Sequence, residues 1–200
     1  AWSVARSGPG RAYMPDVMTG GIAVFDADGD GRRDLYVVHG VSDADGATDH
    51  AQSVNRLFRQ DDDGRFSDIT ESSGLGDAGY GMGVALGDYD GDGDLDVYVS
   101  NHGPDALYRN DGAGRFTYVA EAAGIANPAW SASAGFHDYD GDGDLDVFVT
   151  NYVDFDPSVK GGSAGAAIDY PSPLQFDGTI DVLYRNEGDG TFTDVTTDAG

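Results

Sequence analysis

The run Asp-x-Asp-x-Asp-Gly-x-x-Asp occurs three times in this chain, at Asp26 to Asp34, Asp88 to Asp96 and Asp138 to Asp146. Each copy leads into an alternating β-branched and aromatic stretch: Leu35-Tyr-Val-Val38, Val97-Tyr-Val99 and Val147-Phe-Val149. That is the period-two chemistry of a half-buried strand. A second element then follows in the same order, Leu57-Phe-Arg-Gln60, Leu107-Tyr-Arg-Asn110 and Leu183-Tyr-Arg-Asn186, each ending in a Gly-containing turn before Phe66, Phe116 or Phe192. A chain written this way is a structural repeat, and the repeat limits the fold more tightly than any bulk property.

Each unit reads as four short strands. Small-residue stretches (Gly20 to Phe25, Gly81 to Leu86, Ser131 to Phe136) precede the acidic loops and form the first strand. The fourth is expected over 66–70, 116–120 and 192–196, after turns such as Asp111-Gly-Ala-Gly114 that supply positive-φ positions. A repeated four-stranded meander is the blade of a β-propeller. The expected fold is therefore all-β: tandem four-stranded antiparallel blades of β-propeller type, about three of them, which do not close a ring by themselves. The units are 1–75 with an inserted loop at 39–55, 76–125, and 126–200 with an inserted loop at 152–181. The long excursion in the third unit, with Lys160-Gly-Gly-Ser-Ala-Gly165, is of the kind that carries partner contacts.

The loop chemistry points to a hard cation. Positions 1, 3, 5 and 9 supply Asp26, Asp28, Asp30 and Asp34 in the first copy, Asp88, Asp90, Asp92 and Asp96 in the second, and Asp138, Asp140, Asp142 and Asp146 in the third. Position 7 offers a backbone carbonyl, so its side chain is free to vary among Arg32, Asp94 and Asp144. Calcium takes six to eight oxygen ligands in flexible geometry, which suits this set, and about three ions are expected. An EF-hand is excluded: its bidentate Glu at position 12 is replaced by Val37, Val99 and Val149. Magnesium keeps more of its waters, and zinc prefers sulfur and nitrogen.

The bulk numbers agree. With 36 acidic against 11 basic residues the formal net charge is −25, which disfavours nucleic acid and anionic lipid and favours cations. Four carboxylates in one turn repel each other without metal, so folding and binding are expected to be coupled. There is no cysteine, and calcium is expected to brace the fold as disulfides would. No apolar run approaches the ~18 residues needed to insert in a membrane, and Ala1 to Arg6 lacks a signal-peptide h-region, so a secreted chain would be already processed.

The remaining candidates have plainer readings. His39, His50, His102 and His137 form no catalytic signature, although His137 adjoins Asp138. Asn101 and Asn151 are expected to cap turns, and Arg59, Arg109 and Arg185 to pair with a neighbouring blade. Trp2 and Trp130 are expected in packing rather than stacked on sugar rings. With no separate acid, base and nucleophile, the chain is not expected to be an enzyme.

These residues resemble the FG-GAP/VCBS repeats of integrin-like propellers, and within them the subset that accompanies ASPIC/UnbV domains. The markers are Gly87-Asp-Tyr-Asp-Gly-Asp-Gly-Asp-Leu-Asp96, the run from Leu183 to Thr196, and Ala123-Gly-Ile125. The resemblance implies calcium in the loop between the first two strands of a blade, on secreted or cell-surface proteins. It implies no single activity. Three units leave a propeller open, and Gly200 followed by Ala1-Trp2-Ser3 would recreate a junction like the one before Ala129-Trp-Ser131. The partners expected are copies of itself or further blades of the same chain, with an arbitrary chain boundary as the alternative. The functional expectation is an extracellular, calcium-stabilised structural or adhesive module, one period of a tandem array or of a head-to-tail filament. The alternative is a propeller domain that binds a carbohydrate or protein ligand within a larger secreted enzyme or receptor.

Overall fold

A computed structural model describes Pro15, Met18 and residues 20–40, 54–159 and 171–200. Trp2, His50, residues 41–53 of the first inserted loop and residues 160–170 of the second lie outside the described residues. The first sheet contains β1 (Ile22–Phe25), β2 (Asp34–Val37), β3 (Arg56–Gln60) and β4 (Phe66–Asp68). The second contains β5 (Tyr80–Gly87), β6 (Asp96–His102), β7 (Ala106–Asn110) and β8 (Phe116–Tyr118). The third contains β9 (Ser131–His137), β10 (Asp146–Asn151), β11 (Val182–Asn186) and β12 (Phe192–Asp194). Within each sheet the strands follow chain order, and every pairing is antiparallel. Three such meanders, with no closed barrel among the described residues, are the blade-like all-β architecture that the repeat predicts.

The alternation of strand side chains explains how the sheets stack. One face of the first sheet (Ala23, Phe25, Tyr36, Leu57) buries itself against the facing side of the second (Val97, Val99, Tyr108, Phe116). The opposite face of the second sheet (Tyr98, Leu107) packs in turn on Val147, Val149, Tyr184 and Phe192 of the third. Most of the core is thus two seams between sheets, with a smaller cluster around Met82, Trp130 and Val153 beside them. First strands approach closely across these seams, and this accounts for their small residues. A Cβ on Gly87 would lie 2.5 Å from the Phe136 ring of the next sheet.

The sequence reading overran the fourth strands. They end at Asp68, Tyr118 and Asp194, and single turns of helix follow: α1 (Thr70–Ser73), α2 (Ala120–Ala123) and α3 (Thr196–Ala199). In the first and third units the strand is stopped by an aspartate. Asp68 accepts from both the N–H and the hydroxyl of Thr70, at 3.1 and 2.6 Å, and Asp194 does the same with Thr196 at 3.0 and 2.6 Å. Leu75 and Ile125, just past α1 and α2, are fully buried and join the two seams.

Candidate metal sites

Each acidic loop closes the first hairpin of its sheet. The residue before position 1 pairs across the ladder with position 9: Phe25 with Asp34, Gly87 with Asp96, His137 with Asp146. Glycines at positions 4 and 6 make the turn, with φ of 75° and 87° in the first loop and 72° and 97° in the second. The position-1 carboxylate then ties the loop to itself. Asp26 accepts from Asp30 N at 3.1 Å and Gly31 N at 2.8 Å, and Asp88 accepts from Asp92 N at 3.1 Å and Gly93 N at 3.0 Å.

This geometry brings the carboxylates of positions 1, 3 and 9 together in all three copies. Asp26, Asp28 and Asp34 each place an oxygen within 4.8 Å of the others, as do Asp88, Asp90 and Asp96, and Asp138, Asp140 and Asp146. Positions 5 and 7 stand outside these groups. Asp30, Asp92 and Asp142 turn to accept the N–H of position 7, at 2.8, 3.0 and 2.9 Å. Asp94 and Asp144 lie over Gly112 and Gly188 in the turns after β7 and β11. Arg32 pairs with Asp30 and, at 2.8 Å, with Asp62, while its Nε donates to Gln60 O at 2.9 Å.

The position-9 carboxylates have a second role, which sequence reasoning missed. Asp34, Asp96 and Asp146 are at most 1% exposed. One oxygen of each accepts the N–H of loop position 2, from Ala27, Tyr89 and Tyr139 at 3.0, 3.0 and 2.9 Å. The other accepts the backbone N–H that ends the third strand, from Gln60, Asn110 and Asn186, each at 2.8 Å. The Asn110 side chain then donates to Ala27 O of the preceding loop at 3.2 Å, and Asn186 to Tyr89 O at 2.8 Å. Each seam is therefore pinned at the acidic loop. The recurrent Asn after Leu-Tyr-Arg was the available signal.

Electrostatics fit a site in which carboxylates crowd one another. Burial and the neighbouring Asp30 and Asp34 raise the Asp28 pKa; burial and Asp92 raise that of Asp90; burial and Asp142 raise that of Asp140. Burial, opposed by the two N–H donors, pushes Asp96 up to about 7. Crowded carboxylates of this kind could hold a hard divalent cation, which would replace mutual repulsion with attraction. The donor set is carboxylate oxygen throughout, so the residues present fit calcium better than zinc.

Elsewhere the candidates resolve into structure. Arg59 and Arg185 pair within their own hairpins, with Asp61 at 3.3 Å and Glu187 at 2.8 Å, and not with a neighbouring blade as the sequence suggested. A carboxylate two residues along the strand end is nearer than any on the next sheet. Asn101 and Asn151 donate to turn carbonyls of Pro104 at 3.0 Å and Ile180 at 2.6 Å. Trp130 is 4% exposed and packs edge-on against His102, Tyr152 and Phe155. His137 is exposed. A buried polar group unforeseen from sequence centres on Asp105, which accepts from Tyr98 OH at 2.8 Å, Asn101 N at 2.7 Å and Ser131 Oγ at 2.7 Å.

Four-stranded sheets stacked in series, each with an aspartate-lined loop in its first hairpin, define a propeller-blade repeat with cation-type loops. The FG-GAP-like repeat model matches residues 26–99 and 88–149, and the chain belongs to that family. No curated protein matches the chain significantly.

Proposed function

We propose that this chain is a calcium-stabilised, extracellular structural or adhesive repeat module, with one calcium ion held by each acidic loop and no catalytic role. The observation that carries this reading is the convergence of three aspartates at equivalent positions of all three hairpins. The net charge of −25 supports the same reading, since divalent cations relieve the self-repulsion of so acidic a chain. Extracellular modules bind calcium with Kd of about 10⁻⁴–10⁻³ M, a range filled outside the cell and not in the cytosol. Asp30, Asp92 and Asp142, with the carbonyls of Arg32, Asp94 and Asp144, would complete each coordination sphere.

Isothermal titration of the metal-free chain with calcium tests this. Uptake of about three ions per chain, undisturbed by equimolar magnesium, is the expected result. Absence of calcium uptake at millimolar concentration refutes the reading.

A further inference from the structure

The three acidic loops are not equivalent in charge. The second and third, over 88–96 and 138–146, each carry five aspartates and a formal charge of −5. The first, over 26–34, carries four aspartates with Arg32 and Arg33, and its formal charge is −2. Arg32 takes position 7, where Asp94 and Asp144 stand in the other copies. An arginine also recurs at one position of the third strand in every unit, as Arg59, Arg109 and Arg185, so those residues do not set the loops apart.

The Arg32 guanidinium is held in place by three partners. Its Nε donates to Gln60 O at 2.9 Å, Nη1 pairs with Asp62 at 2.8 Å, and Nη2 pairs with Asp30. Asp30 is thereby engaged twice, because its other oxygen accepts Arg32 N at 2.8 Å. Asp92 and Asp142 accept the equivalent N–H, but no arginine stands at position 7 to take their second oxygen. The turn after the third strand changes to match. Asp62 occupies the place of Gly112 and Gly188, and a side chain added at either glycine would run into Asp94 or Asp144. Two units thus set an aspartate over a glycine, and one sets an arginine on an aspartate.

We propose that Arg32 is a built-in counter-ion that makes the first loop the weakest of the three calcium sites, filled only after the second and third. The inference rests on the calcium reading of the loops and ranks them. Asp30 at position 5 must leave the guanidinium before it can complete a coordination sphere, and a fixed positive charge repels the incoming ion. Affinity in oxygen-ligand loops is tuned by the charge count of the ligands and the rigidity of the site, so a Kd about tenfold higher is expected at the first loop. The same arginine ties that loop to the turn after β3 without any metal.

Calcium titration followed by the backbone amide signals of Gly31, Gly93 and Gly143 in nuclear magnetic resonance tests the ranking on the whole chain. The Gly31 signal is expected to move at about tenfold higher calcium than the other two. Arg32→Gln removes the charge and is expected to lower the Gly31 midpoint by about threefold or more, with the Gly93 and Gly143 midpoints unchanged as internal controls of folding. Arg32→Asp combined with Asp62→Gly reproduces the pairing of the second loop and is expected to bring the three midpoints within about threefold of one another. A wild-type Gly31 signal that moves with or before the others, or a Gly31 midpoint that neither variant lowers, overturns the proposal. Three wild-type signals that move together refute the ranking and leave the calcium reading standing, whereas signals that ignore millimolar calcium refute both.

Discussion

Asp96 accepts the backbone N–H of Asn110 at 2.8 Å, and the side chain of that same asparagine reaches Ala27 O in the preceding acidic loop at 3.2 Å. The last carboxylate of one loop is thereby fastened to the residue that grips the loop before it. Acidic loops and seams are consequently one network, repeated by Asp146, Asn186 and Tyr89.

Asp96→Ala tests the structural half of this role. The substitution strands two buried donors, the N–H groups of Tyr89 and Asn110. Each unmet donor costs about 1–3 kcal/mol, so a loss of about 2–6 kcal/mol is expected in urea unfolding with chelator present. A residue serving only as a metal ligand would show no such loss without calcium.

Asn110→Ala tests the seam. It deletes the donors to Ala27 O, buried in the first seam, and to Leu95 O at the end of its own acidic loop. The expected cost is about 1–3 kcal/mol. Faster hydrogen exchange is expected in β1 and β2, which the seam holds, with β9 to β12 unchanged. Uniform acceleration across all three sheets would show instead that the stack unfolds as one unit.

The loops and most strands were legible in the sequence because their determinants are local. Aspartates on alternate residues, glycines where φ is positive, and period-two strands all act within a few positions. The buried role of Asp34, Asp96 and Asp146 was not legible, because their partners Gln60, Asn110 and Asn186 lie 26, 14 and 40 residues further on, across connections of variable length. Helices α1 to α3 escaped for another reason. Four residues such as Thr70-Glu-Ser-Ser73 carry no helical period, and the turn is set by Asp68 and by packing of Leu75. The arginine pairings failed because a repeated position suggests a repeated long-range contact, whereas Asp61 and Glu187 satisfy the charge locally.

Within one loop, ligands can be ranked. Asp90 belongs to the converging group, while Asp92 is turned to accept Asp94 N at 3.0 Å. Asp90→Ala is therefore expected to abolish calcium uptake at the second loop, leaving about two ions per chain, and Asp92→Ala to weaken it by a smaller factor. Calorimetric titration reads both. Equal losses would place Asp92 in the coordination sphere on the same footing as Asp90.

Calcium removal should lower stability by linkage. A site that binds only the folded chain contributes about 2.7 kcal/mol when the ion is at a hundred times its Kd. Thermal scans in chelator and in rising calcium are expected to show a midpoint that climbs with the logarithm of calcium concentration. A midpoint that ignores calcium would mean that the loops fold equally well empty.

Asp105 supplies a pH dependence separable from the metal loops. It is 1% exposed, and burial pushes its pKa up to about 7 against the hydrogen bonds from Ser131, Asn101 and Tyr98. In the unfolded chain an aspartate titrates near 3.9 (approximate). Between those values the folded state binds the extra proton, so the stability contributed by this group falls as pH rises from about 4 to 7 and is level above. Asp105→Asn keeps the shape but does not titrate. In chelator, the wild-type melting temperature is expected to drop more steeply than that of the variant across this window, with parallel curves above it. Curves parallel throughout would mean that the buried carboxyl ionises as readily in the fold as outside it.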